Sequence, residues 1–203
     1  MFLEDSSHEM SGNVLDIGGK KINRRGKFRP PLQQVTTWKY LNIDPSTKPD
    51  YCCSAEDLPI ESDSIDGFLL CEVLEHLEYP EKVLDEVFRV LKPSGSGWIT
   101  IPFLYQIHAD PNDFQRWSEV KIRNTLKQTG FSYIEIRPMG SAAAVIYDLC
   151  HACLNRSLNH GRILNRSWSR LLRSFQSLAF RFDKKLLHQS NYITTGYAII
   201  VRK

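Results

Sequence analysis

The sequence predicts an α/β domain of the doubly wound kind: a mostly parallel sheet with helices on both faces and a helical insertion ahead of its last strand. Three observations carry this. Val14-Leu15-Asp16-Ile17-Gly18-Gly19 is an apolar run ending on a carboxylate and then on bare backbone, the pattern of a buried strand delivering an acid to a tight turn. Ile65–Leu70 is nearly continuous in apolar residues, as suits a strand covered on both faces. Strand-like and helix-like periodicities then alternate as far as residue 137, which calls for parallel strands joined by helical crossovers.

In chain order, the first strand is Val14–Ile17 and the second is Tyr40–Ile43, ending at Asp44-Pro45. Between them, Gly19 to Pro31 carries Lys20, Lys21, Arg24, Arg25, Lys27 and Arg29, and Pro30-Pro31 argues against a long regular helix there. Two readings of this basic loop stay open: it closes over an anionic group of a ligand, or it is a solvated surface. After the strand at 65–70, Pro80 sits where a first helical residue belongs, and Val83, Leu84, Val87, Phe88 and Leu91 repeat at helical spacing. Lys92-Pro93-Ser94-Gly95 is expected to stop that helix, with Trp98–Ile101 as the next strand. Ser118 caps a helix reaching Gln128 and ended by Gly130, and Phe131–Arg137 is a further strand. Beyond Gly140 the pattern changes. Ala143–Leu158 is amphipathic, and Leu164, Trp168, Leu171, Phe175, Leu178 and Phe182 step by 4, 3, 4, 3 and 4 residues. Asn191–Val201 reads as a closing strand. The expected organisation is a sheet domain over 1–140, a helical insertion over 141–190 acting as lid, dimer or packing element, and 191–203 closing the same sheet.

Composition narrows the class. With 203 residues, 42% of them hydrophobic, the chain can bury a substantial core. No basic start leads into an apolar stretch and no window approaches the ~18 apolar residues of a membrane span, so a cytoplasmic protein is expected. Five cysteines, an odd number, suggest a reducing compartment and buried thiols rather than a disulfide framework. Cys150-His151-Ala152-Cys153 has metal-ligand spacing but no second pair, and no metal site is expected. The net charge of +3 conceals a split: residues 141–203 hold 10 Lys and Arg against 2 Asp and Glu. That asymmetry points to a partner or an anionic surface. For the helical stripe three roles stay open: packing on the sheet domain, a homodimer contact, and peripheral membrane contact through residues 162–185.

Four stretches, VLDIGG (14–19), NIDP (42–45), SAEDLPIESDSIDGFLLCEVLEHL (54–77) and FRVLKPSGSGWITIP (88–102), carry a family resemblance. Together they resemble the class I S-adenosylmethionine-dependent methyltransferases, type 11 small-molecule branch, over residues 12–138 and the final strand. The resemblance implies a Rossmann-like sheet of seven strands, the last antiparallel, and S-adenosyl-L-methionine as cofactor. It implies that Asp16, Ile17, Gly18 and Gly19 take the methionine moiety and that Asp44 and Pro45 take the ribose. Ser54, Ala55 and Glu56 would flank the adenine, and Cys71, Glu72 and Val73 would line the sulfonium. Two departures stand out: Lys20-Lys21 follows Gly18-Gly19 where the family continues as Gly-x-Gly, and Ser54 replaces the usual Asp. A nicotinamide dehydrogenase is excluded, because Gly18-Gly19-Lys20-Lys21-Ile22-Asn23 lacks the Gly-x-Gly-x-x-Gly that opens a helix.

Candidate catalytic residues lie in Pro102–Trp117, dense in titratable and aromatic groups at the carboxyl edge of a strand. His108 is the first candidate for general base or acceptor anchor, with Tyr105, Asp113 and Arg116 orienting substrate. The competing reading has Asp113 and Arg116 bracing the loop as a pair. His76 reads as a structural helix-end residue. The acceptor implied is a small polar molecule, with a sugar or polysaccharide precursor methylated on oxygen as the leading candidate. The alternatives are a non-catalytic cofactor-binding or interaction protein and an RNA methyltransferase. Nucleic acid is not expected, since no recognition module accompanies the basic tail.

Overall fold

The computed structural model describes residues 2–22, 28–109, 111–157 and 193–203. Arg24, Arg25 and Lys27 of the basic loop, the stripe at 164–182 and the segment 162–185 lie outside the described residues.

Six strands form one sheet: β1 (Gly12–Ile17), β2 (Val35–Leu41), β3 (Ile65–Cys71), β4 (Leu91–Pro102), β5 (Tyr133–Met139) and β6 (Gly196–Arg202), in the order β2-β1-β3-β4-β6-β5. β1 runs parallel to β2 and β3, and β3 parallel to β4. The chain leaves β1 for the outer β2, then returns to β3 on the other side of β1. The carboxyl ends of β1 and β3 therefore flank a crevice where the strand order reverses, the place at which such sheets bind ligands. The helices are α1 (Phe2–Asp5), α2 (Pro80–Val90), α3 (Glu119–Thr129) and α4 (Ala142–Ser157).

The elements form for the expected reasons. β3 buries Phe68, Leu69 and Leu70, and α2 lays Val83, Leu84, Val87 and Val90 on the sheet. Pro80 opens α2 and Ser118 caps α3, whose end is Gly130 at φ +113°.

Several boundaries differ from the sequence reading. The expected seventh strand is reduced, among the described residues, to one parallel bridge between Leu41 and Tyr51 at the β2 edge. Pro49 lies two residues before that bridge and cannot donate to a longer ladder. Lys92-Pro93-Ser94-Gly95 does not separate helix from strand. Leu91 already pairs with Ile65, the next residues bulge with Ser94 at φ +66°, and pairing resumes at Ser96 with Gly67. The bulge is held by the Lys92 ammonium, 2.8 Å from Asp66, whose carboxylate also accepts from the Asn13 N–H. β2 begins at Val35 and ends at Leu41, leaving Ile43 exposed, and β5 begins at Tyr133, two residues after the buried Phe131. The thiols are not buried as a group: Cys52, Cys150 and Cys153 are exposed, the last two on the outward face of α4 with Ile146 and Leu149. The short helix α1 has no counterpart in the sequence reading.

The chain divides into two compact units: Met1–Ile101 with Asp110–Arg137 and Ala198–Lys203, and Pro102–Ala109 with Pro138–Tyr197. Within the second unit, Phe103 donates its N–H to Thr195 O (2.7 Å) and Thr194 Oγ1 donates to Met139 O (2.7 Å).

Candidate active site

The turn after β1 is shaped by what surrounds it. Gly18 has φ +77°, and a Cβ on it would lie 2.5 Å from Val73 Cγ2. A Cβ on Gly19 would lie 2.3–2.5 Å from the Asp16 carboxylate. Two side chains thus close on the turn from the carboxyl ends of the parallel strands β1 and β3, leaving a cradle that only bare backbone can line.

Asn42, which the sequence reading passed over, ties this turn to the end of β2. Its buried amide donates to the carbonyls of Gly18 (3.0 Å) and Gly19 (3.1 Å), and its Oδ1 accepts from the Asp44 N–H (2.9 Å). The available signal was a polar residue closing an apolar strand directly before the acid. Asp44 follows on an exposed corner. Its carboxylate accepts from the Ser46 hydroxyl (2.8 Å) and N–H (2.9 Å), and these bonds hold it below the usual carboxylate range. Asp44 is therefore a cap of the Pro45–Thr47 turn. A carboxylate has about four lone-pair positions, so two more donors such as vicinal hydroxyls can be taken.

Ser54 Oγ accepts from the Glu56 N–H (3.2 Å), shaping a tight turn around the buried Ala55. At the end of β3, Glu72 has φ +54° with its N–H donated to Thr100 O, a strained conformation for a non-glycine residue. Burial, followed by the charge of Asp16, pushes the Cys71 thiol well up, so it is a neutral wall and not a nucleophile.

The turn Leu74–His76 grips the loop ahead of α3. Phe114 N–H donates to Glu75 O (2.8 Å), Gln115 Nε2 to Leu74 O (3.2 Å) and Leu77 O (3.0 Å), and His76 Nδ1 to Asn112 O (2.6 Å). Arg116 forms a bidentate pair with the nearly buried Asp113. Those two candidates meet each other, which matches the bracing alternative. Glu75 is buried, and burial raises its carboxyl to about 7, with the charge of Glu72 adding to the effect. His76 Nε2 lies 3.5 Å from Glu75 Oε1. The sequence reading did not single out Glu75; an acid between Leu74 and Leu77 in an apolar pattern was the available signal. Tyr105 and His108 belong to the second unit, ring against ring edge-on at 5.4 Å, with His108 Nδ1 3.3 Å from Gln106 O.

Comparison with known proteins agrees with this layout. Residues 24–99 match the family described as a methyltransferase domain, type 11. A mitochondrial 2-methoxy-6-polyprenyl-1,4-benzoquinol methylase from Caenorhabditis elegans is 42% identical over 82 residues, 40% of this chain and 24% of that protein. A ubiquinone/menaquinone biosynthesis C-methyltransferase UbiE from Bartonella tribocorum is 27% identical over 169 residues, 68% of this chain and 58% of that protein. The chain thus spans less than two thirds of either relative. An S-adenosylmethionine-dependent methyltransferase from Mesorhizobium loti shares the fold with a TM-score of 0.60 at 12% identity, over all of this chain and 98% of that one. A glycine turn walled by Asp16 and Val73, an acid at the tip of the neighbouring strand and the family match over residues 24–99 point the same way: the chain is similar to the class I S-adenosylmethionine-dependent methyltransferases, type 11 branch.

Proposed function

We propose that the protein transfers a methyl group from S-adenosylmethionine to a small acceptor. The observation that carries this is the glycine cradle between Asp16 and Val73, with Asn42 fixing it to the strand end that bears Asp44. The residues fit the cofactor. Asp16 offers a carboxylate suited to an ammonium, Asp44 has acceptor capacity for two hydroxyls, and the neutral Cys71 thiol puts a polarisable wall in the same region.

When bound, S-adenosylmethionine supplies a methyl group on a sulfonium, whose sulfur leaves as a neutral thioether. The chain's own part is alignment, exclusion of water and management of one proton. Val73 and the two glycines limit the space beside the turn, and the loop 111–117 is held in register by its bonds to Leu74, Glu75, His76 and Leu77. For the proton we retain His108, with Tyr105 at its edge, while Asp113 and Arg116 hold the loop.

The acceptor proposed first is a sugar or polysaccharide precursor methylated on oxygen. A second reading, methylation of a quinol ring, is supported by what the two curated relatives are named for. A cytoplasmic setting belongs to the proposal too. Among the described residues no helix is long and apolar enough to cross a membrane, and the C. elegans relative is named as mitochondrial. Calorimetric titration with S-adenosylmethionine should give one site per chain. Labelled methyl should then pass to one member of a panel of nucleotide-sugars and short-chain quinols. Binding without product from any acceptor would make the protein a non-catalytic binder, and no binding at all would sink the proposal. His108→Ala should abolish turnover with cofactor affinity nearly unchanged.

A further inference from the structure

We propose that Cys150 and Cys153, on the outward face of α4, form a reversible redox-modification site whose co-reactants are small disulfides. The site is independent of methyl transfer. The two thiols end a C-x-x-C run, Cys150-His151-Ala152-Cys153, and the whole run is helical within α4. Helical geometry puts residues three apart on one face with Cα atoms about 5 Å apart, inside the range of about 4.4–6.8 Å that a disulfide spans. Both are exposed, whereas a free cysteine is among the residues most often buried. Both also lie in one helix of one compact unit, so no other part of the chain is needed to bring them together.

The other three thiols are placed differently. Burial pushes the Cys53 thiol up, with the charges of Cys52 and Asp57 adding to it, and burial followed by the charge of Asp16 does the same to Cys71. Both are thereby held in the protonated, less reactive form. Cys52 is exposed, but Cα atoms of adjacent residues are about 3.8 Å apart, too close for an ordinary disulfide with Cys53. Cys150 and Cys153 combine access with a partner in bonding range. The thiolate of one attacks a sulfur of the small disulfide RSSR, forming a protein–SR mixed disulfide and releasing RS⁻. The thiolate of the other then attacks the protein sulfur of that mixed disulfide, closing the Cys150–Cys153 bond and releasing the second RS⁻. The chain gives up two thiol protons and two electrons, and RSSR departs as two thiols. Cβ atoms three residues apart on a helix stand about 5–6 Å apart, against about 3.5–4.5 Å across a disulfide, so closure tightens one turn of α4. That cost keeps the bond easy to reduce, which suits a labile modification and not a structural staple.

The test incubates the full chain with oxidised glutathione, quenches with acid and maps the product by mass spectrometry. The tryptic fragment 128–156 holds Cys150 and Cys153 and no other cysteine, since Pro138 blocks cleavage after Arg137. In the wild type this fragment should lose the mass of two hydrogen atoms and carry no glutathione, and excess dithiothreitol should restore it. Cys150→Ser and Cys153→Ser each leave a single thiol on the exposed face, and their fragments should instead retain one glutathione. Circular dichroism of the two variants, unchanged from wild type, reports that they fold. A wild-type fragment that keeps glutathione on either thiol, or that stays reduced under these conditions, overturns the site.

Discussion

Asn42 and the two glycines it holds separate stability from ligand binding at single positions. Asn42→Ala removes two bonds to glycine carbonyls and one from the Asp44 N–H at a site only 9% exposed. Leaving those groups without their partner should cost about 1–3 kcal/mol, read by urea denaturation, and should weaken cofactor binding as well. Gly18→Ala meets both an unfavourable φ of +77° and the Val73 methyl at 2.5 Å, so a stability loss of about 1–2 kcal/mol is expected. Gly19→Ala is different in kind. Its new methyl first meets the Asp16 carboxylate, the movable end of a side chain, and its φ needs no glycine. Stability should change little, while affinity for S-adenosylmethionine falls because Asp16 is pushed from its place. Equal losses of stability in the two glycine variants would refute this distinction.

Among the elements, α3 was legible in full because its signals are local. Ser118 precedes it, Ile122 and Leu126 are buried at a spacing of four, and Gly130 ends it in the left-handed region. The cap is a modest one: Ser118 Oγ sits 3.5 Å from the Lys121 N–H. Ser118→Ala should therefore cost about 0.5–1 kcal/mol, at the lower end for caps, measurable as a small fall in thermal midpoint. The strand expected at Trp98–Ile101 lies within β4, but its start was read seven residues late because that start is decided by tertiary pairing. Pro93 and Gly95 look like punctuation, yet Leu91 is held in the sheet by Ile65 and the Lys92–Asp66 pair spans the bulge. The glycine turn after β1 could be read from a strand, an acid and two glycines. Glu75 could not, since periodicity tells which residues are apolar and not which acid an apolar neighbourhood will enclose. Nor could the Asn42 clamp, which depends on two strand ends lying side by side.

For the whole molecule, the ionic contacts set a direction for stability against pH. Hydrogen bonds from Arg89 lower the Glu86 carboxyl, those from Lys121 lower Glu81 and those from Arg137 lower Glu135. At Asp50 and Asp66 burial pulls upward, but Lys21 and the Tyr40 N–H outweigh it at the first, and the Asn13 N–H and Lys92 at the second. A carboxyl whose folded pKa is depressed binds fewer protons folded than unfolded. Its contribution is whole above the ordinary values of 3.8 for Asp and 4.5 for Glu, and is lost as pH falls through the folded value. Urea unfolding followed from about pH 6 to about pH 3 should thus show stability falling steeply below about pH 4.5. Glu86 is the best single probe, because it accepts from Arg89 and from the Leu58 N–H, and Arg89 in turn donates to Leu58 O and Ile60 O. Arg89 is 36% exposed, so screening trims the pair: Glu86→Gln should cost about 1 kcal/mol at neutral pH. That cost should shrink towards acid, where the wild-type carboxyl is itself protonated. A cost that stays constant across the acid limb would mean that Glu86 works through shape and neutral hydrogen bonding, and that its charge contributes nothing to the fold.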